Sequence, residues 1–168
     1  MKKLLAYVAV LGLAVAVVYF FLTGEPSPDD FPRDVPLPVE HRVQIFFGNS
    51  EKDPDMLLCD SVHPVDRTVR AVGDPIRAAL ENLLEGPRLE EEARGYFTSL
   101  NKGVEIKELI VREGVAIANF DYQLDRGVAG SCRVEAIRAQ IERTLLQFPD
   151  VENVRILVEG QEETALQP

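Results

Sequence analysis

The sequence predicts an α+β fold: a two-layer ββαββαβ domain with two helices packed on one face of a mainly antiparallel or mixed sheet, behind a single N-terminal transmembrane helix. Three observations carry this prediction. Nineteen residues, Leu4–Leu22, run without a charge. Apolar residues recur at helical spacing in two later stretches, and five short stretches are β-branched or alternate apolar with polar residues.

The uncharged run comes first. At 1.5 Å per residue it spans roughly 28 Å, close to the hydrocarbon thickness of a bilayer. Lys2 and Lys3 precede it, which favours a cytoplasmic N-terminus and sends everything after Thr23 to the other side. Ala14-Val15-Ala16 offers the one small-x-small cleavage motif, but six more apolar residues follow it, which argues against a cleaved signal peptide. A lipoprotein needs a cysteine just after the apolar run, and the first cysteine is Cys59. The expected organisation is therefore a cytoplasmic stub (1–3) and an uncleaved signal anchor (4–23). The protein is placed in the cell membrane as a single-pass chain with an extracytoplasmic C-terminal domain. Residues 24–42 hold five of the chain's eleven prolines. Proline at this density opposes helix and favours an extended spacer, reaching up to roughly 50 Å at about 3.1 Å per residue.

The folded body is expected over 43–160. The stretch "RVQIFFG" reads as a first strand and residues 61–72 as a second, with Pro64 marking an edge or bulge. Asp74 is a helix cap and Pro75 sits at the first helical position. Ile76, Ala79, Leu80, Leu83 and Leu84 form one apolar stripe, and Gly86-Pro87 ends the helix. A polar connection, "RLEEEARGYFTSLNKG", has room for a short helical turn. Residues 104–124 read as two strands joined at Glu113-Gly114, a hairpin signal. Ser131 is the expected cap of the last helix, whose stripe is Val134, Ile137, Ile141, Leu145 and Phe148. Pro149 stops it, and Val154, Ile156 and Val158 alternate through a closing strand. Residues 161–168 are a tail.

Charge narrows the partners. The chain carries 18 basic and 28 acidic residues. Two of the basic residues precede the anchor, which leaves 16 against 28, a net of −12 beyond residue 23. Such a body repels nucleic acid and anionic headgroups. Arg133, Arg138 and Arg143 are interleaved with Glu135 and Glu142, so the last helix offers no basic patch. Repulsion between identical acidic bodies also favours an ectodomain that is monomeric by itself.

Candidate chemistry is sparse. His41 and His63 lack the spacing of a metal motif, and with two distant cysteines they make a poor zinc set. Glu51, Asp53 and Asp55 sit in an acidic stretch, but it lacks the glycine and terminal glutamate of a calcium loop and contains Pro54. Asp121 and Asp125 flank Tyr122 near a strand end. There is no G-x-S-x-G, phosphate loop or dinucleotide fingerprint. No catalytic residue, metal or cofactor is expected. Cys59 and Cys132 remain. Outside the cytoplasm two cysteines are more often bonded than free, so a disulfide is the favoured state. It would close a loop of about 74 residues and contribute roughly 4 kcal/mol on the chain-entropy estimate. Buried thiols, or a reactive Cys132 at a helix N-terminus, are the alternatives.

Residues 43–160 as a whole resemble the GerMN domain, also called the Germane or sporulation-and-spore-germination domain. The resemblance is carried, in order, by "VQIFFGN", "VDRTV", "ALENLLEGP", "SLNKGVEIKELIVREGVAIANFD" and "TLLQFPDVENVRILVEG". It implies a non-catalytic, membrane-anchored, extracytoplasmic module with a binding or assembly role at the bacterial envelope, and a fold similar to ring-building motifs. An envelope protein or cell-wall polymer is then the expected partner. This chain has one copy, where the spore-germination member is like a tandem pair. The competing function class is an envelope enzyme, such as a cell-wall hydrolase, whose site is scattered in sequence.

Overall fold

The computed structural model describes residues 18, 36–55, 57–162 and 165–166. The anchor expected at 4–23, apart from Val18, and the linker as far as residue 35 lie outside the described residues. Among those described, no helix is long and apolar enough to cross a membrane. The chain divides into two compact units, Met1–Pro36 and Leu37–Pro168, and the second is the folded body.

The described residues of that body form six strands: β1 (Val39–Asn49), β2 (His63–Ala71), β3 (Tyr96–Phe97), β4 (Ile106–Arg112), β5 (Val115–Phe120) and β6 (Asn153–Val158). Helix α1 (Ile76–Leu84) and a four-residue α2 (Leu89–Glu92) follow β2, and α3 (Ser131–Leu145) precedes β6. The expected elements are all present in order. The polar connection supplies both α2 and β3, of which only a helical turn was expected.

The strands form two three-stranded sheets, β2-β1-β3 and β4-β5-β6, rather than the single expected sheet. Every pairing is antiparallel except β5 with β6, which run parallel across the α3 crossover. Helix α1 packs on β1 and β2, whereas α3 packs against α1, β1 and β6. The longer helix therefore serves both sheets.

The stripes are buried as their spacing requires. Ile76, Ala79, Leu80 and Leu83 of α1 and Val134, Ile137, Ile141 and Leu145 of α3 are all buried. They meet Ile45, Phe47, Ala116, Ala118 and Phe120 from the sheets. Burying each of the large apolar side chains stabilises the fold by about 1.5–3 kcal/mol. Phe148 lies past the helix end and is half-buried against this core.

Local signals resolve in two ways. Pro75, expected at the first helical position, occupies the cap position of α1, and Asp74 stands one residue before it, its Oδ1 still accepting from the Ile76 N–H at 2.9 Å. Ser131, by contrast, is the first helical residue; Gly130 occupies the cap position, with no side-chain cap bond. The Glu113-Gly114 turn has positive φ at both residues, 50° and 77°, the two-residue geometry that matches strand twist.

Two boundaries move. The first strand begins at Val39, so residues 39–42 of the expected linker pair with β2, His41 opposite Val69. The tail also contributes: Ala165 and Leu166 are buried in the core, and the Arg138 guanidinium donates to the Ala165 carbonyl at 2.8 Å.

One side of β1 is finished by side chains. The Phe46 N–H donates to Thr144 Oγ1 at 3.2 Å, and the Gln44 N–H to Gln147 Oε1 at 2.7 Å. Gln147 Nε2 donates in return to the Gln44 carbonyl at 2.6 Å. The end of α3 thus replaces a neighbouring strand along an otherwise open edge.

Candidate binding cleft beside the disulfide

The end of β1 positions the site. Gly48 pairs with Phe97 of β3, and a Cβ at Gly48 would stand 2.5 Å from Phe97 Cζ. Only glycine lets the Phe97 ring lie over the strand. Asn49, 3% exposed, then turns the chain outward. Its Oδ1 accepts from the Glu51 and Lys52 N–H groups at 2.9 and 3.0 Å, and its Nδ2 donates to the Arg94 carbonyl at 3.0 Å.

The chain leaves this turn as an acidic loop and returns to β2 through Cys59. Cys59 is bonded to Cys132, in the first turn of α3, with the Cα atoms 4.8 Å apart. The loop is thereby tied to the core helix at one end and to Asn49 at the other.

Between loop and helix lies a half-enclosed cleft of about 230 Å³. Its apolar walls include Leu58, Val62, Phe97, Ala136 and the disulfide. Most of its polar lining is engaged. Gln140, wholly buried, accepts from Thr98 Oγ1 at 2.9 Å and donates to the Ala136 carbonyl at 3.2 Å. Arg133 donates to Asn101 Oδ1 at 2.8 Å. Asp53 accepts from the Leu57 and Leu58 N–H groups at 3.3 and 3.4 Å.

The other residues singled out in the sequence do not gather here. His41 sits on β1, and its buried Nε2 has no hydrogen-bond partner. Asp121 Oδ1 accepts from the Glu105 N–H at 3.0 Å and serves the strand end. Asp125 follows the 3₁₀ turn Tyr122–Leu124. Glu51 and Asp55 are exposed, and among the described residues no cluster of His, Cys, Asp or Glu could hold a metal ion. His63 does approach the cleft: its Nε2 lies 3.4 Å from Ser61 Oγ. Burial, reinforced by the charge of Lys52 and opposed by Asp53, lowers the His63 pKa and favours the neutral ring.

A second polar cluster was not anticipated. Arg67 and Glu91, 3% and 2% exposed, form a buried ion pair with Nη2 to Oε2 at 2.5 Å. Arg67 also donates to the Asn82 and Gly86 carbonyls, both at 2.8 Å, and its guanidinium lies 5.3 Å from the Phe47 ring centroid. It thus satisfies the C-terminal end of α1. Burial would raise the Glu91 pKa, but the hydrogen bond from Arg67, the Arg88 N–H and both positive charges hold it below the usual value. A signal for Arg67 existed: it alternates with the inward-facing Val65 and Val69 of β2. Nothing in the sequence marked Glu91.

These features define a class: a single α+β domain with a small, disulfide-bordered cleft most of whose polar groups are committed to structure. The model of the family described as Germane, sporulation and spore germination, matches residues 44–164. The chain belongs to that family. Among solved structures, the tandem GerMN domains of the sporulation protein GerM from Bacillus subtilis match with a TM-score of 0.55 and 22% identity. That match covers 80% of this chain and 43% of the tandem chain, so the chain spans less than half of that relative. The first GerMN domain of the same protein matches with a TM-score of 0.51 and 16% identity, covering 73% of this chain and 85% of that one. At such identities the likeness concerns the fold. No curated protein matches the chain in sequence.

Proposed function

We propose that the protein is a membrane-tethered, extracytoplasmic binding or assembly module of the bacterial envelope, acting without catalysis. The observation that carries this reading is the cleft: a half-enclosed, largely apolar space most of whose polar neighbours are already hydrogen-bonded. Such a site can hold a partner but offers little for proton transfer. Family membership and the uncharged run Leu4–Leu22 support the placement at the envelope.

Topology tests it. The full-length protein is expected to stay in membranes after alkaline carbonate washing. Its C-terminal domain should be digested by protease added to spheroplasts. Release by carbonate, or protection from the protease, overturns the placement. Residues 24–168 used as bait on membranes should then retain a specific envelope protein or wall polymer.

The second reading, an envelope hydrolase, draws on one contact. Ser61 and His63 stand 3.4 Å apart, longer than the 2.6–3.2 Å expected of a nucleophile and its base, and Asp53 bonds loop N–H groups instead of the imidazole. Covalent labelling of Ser61 by a fluorophosphonate, lost in His63→Ala, would put the enzyme ahead.

A further inference from the structure

The cleft also restricts what can enter it. Its volume of about 230 Å³ is below the roughly 300–1,000 Å³ of sites that enclose a whole small molecule. It exceeds the roughly 150 Å³ apolar cavity known to hold one benzene. One aromatic or branched aliphatic side chain is the guest of matching size.

Polarity points the same way. A sugar ring would need several free donors and acceptors, whereas Asn49, Gln140, Arg133 and Asp53 are engaged in the fold. Apart from Ser61 and Ser99 the remaining walls are apolar, and Leu57 and Leu58, 77% and 65% exposed, stand unburied on the adjoining loop. Exposed leucines beside an apolar cleft are the pattern of a surface that a partner covers.

Charge supplies the flank. The loop over residues 51–60 holds Glu51, Asp53, Asp55 and Asp60 against Lys52. Arg133 on the helix wall is the opposing cation, and it is bonded to Asn101. Loop and wall together carry four carboxylates against two cations. A guest with a positive charge next to its apolar anchor is therefore favoured over one with a negative charge.

We propose that this cleft receives an apolar side chain, aromatic or leucine-like, from a basic segment of a partner protein. The proposal rests on the reading of the chain as a binding module. It assigns the anchor pocket to Ala136, Phe97 and Val62 and the electrostatic lip to the acidic loop. The disulfide holds that lip against α3.

The test uses residues 24–168, which contain the whole compact unit, and two-dimensional NMR. The probes are N-acetyl-phenylalanyl-arginine amide, its glutamate counterpart, and chitobiose as a glycan. The arginine probe is expected to give saturable shifts at Gly48, Phe97 and Ala136, with a Kd on the order of 1 mM for a single small anchor. It should bind up to about fivefold more tightly than the glutamate probe, the size of an exposed ion-pair contribution. Ala136→Leu should abolish the shifts by filling the cleft. Leu58→Ala, at an exposed position that cannot unfold the domain, should weaken them. Absence of saturable shifts, shifts located elsewhere, equal or tighter binding of the glutamate probe, or chitobiose in the cleft would each overturn the proposal. Failure here leaves the membrane topology of the protein untouched, and failure of the topology assay leaves these probe shifts as they are, so the two readings fail separately.

Discussion

The Arg67–Glu91 cluster and the Cys59–Cys132 cleft are two ways of building a polar region into the same domain. In the first, a guanidinium is buried completely, and its donors go to a carboxylate and to two carbonyls at the end of α1. Nothing remains for an outside molecule. In the second, most polar side chains are also paired, but the backbone and the disulfide leave space between them. Full satisfaction with full packing makes a structural joint; satisfaction around a void makes a receptive surface. Charge alone therefore does not distinguish the two regions. Incomplete packing does.

The largest expected effect breaks the joint. Glu91→Ala leaves the Arg67 charge buried without its carboxylate, and loss of one partner of a buried pair typically costs about 3–5 kcal/mol. A urea midpoint near that of the unaltered domain would show that water reaches Arg67. Replacing both partners, Arg67→Met with Glu91→Leu, should recover much of the loss, which separates the cost of a stranded charge from the value of the pair.

Breaking the other region should cost less. Cys59→Ser, or reduction, removes the tie between loop and α3 and is expected to lower stability by about 2–4 kcal/mol. The oxidised domain should show no alkylatable thiol, because among the described residues no cysteine is free. Two reactive thiols in protein isolated under oxidising conditions would refute the bond.

Thr144→Val sharpens the comparison at β1, where a side chain stands in for a strand. The Phe46 N–H would lose its acceptor, at a cost of about 1–3 kcal/mol. Amide exchange at Phe46 should quicken more than at Val43, a difference that a general loss of stability would not produce.

The smallest effect is a pH dependence. His63 has a lowered pKa in the folded state, so the folded protein resists a proton that the unfolded chain accepts. Stability should therefore fall as pH drops below about 6.5, the ordinary histidine value. Glu91 is shifted down from the ordinary carboxylate value, and its contribution is present above that value and lost as pH falls through the lower folded one. Urea unfolding at pH 7.5 and 5.5 for the protein and for His63→Gln isolates the first effect. An identical pH slope in the variant would assign it to other groups.

Much of this fold was legible in the chain because the signals were local. The stripe Ile76–Leu83, the Glu113-Gly114 turn and the closing unit around Leu145 each depend on residues a few positions apart, and each formed as expected. The single sheet was wrong because strand neighbours are chosen by long-range pairing, which alternation does not encode. Periodicity says that β5 is a strand; it does not say that its partners are β4 and β6 while β1 pairs with β2 and β3. Ser131 misled because the cap depends on backbone conformation, and Gly130 with φ of 88° took the position instead.

The site divides along the same line. Two cysteines in a domain expected to be exported sufficed to name a bond between residues 73 positions apart. The cleft behind that bond was not foreseeable. It exists because Gly48 admits the Phe97 ring and Asn49 throws the loop outward, while α3 brings Ala136 and Gln140 beneath them. Short-range periodicity, turn chemistry and charge by themselves determined the elements and the acidic body, and the order of the motif stretches carried the family resemblance. Tertiary structure decided the two sheets, the buried Arg67–Glu91 joint and the void, because each depends on where distant segments meet and on how completely their side chains fill the space between them.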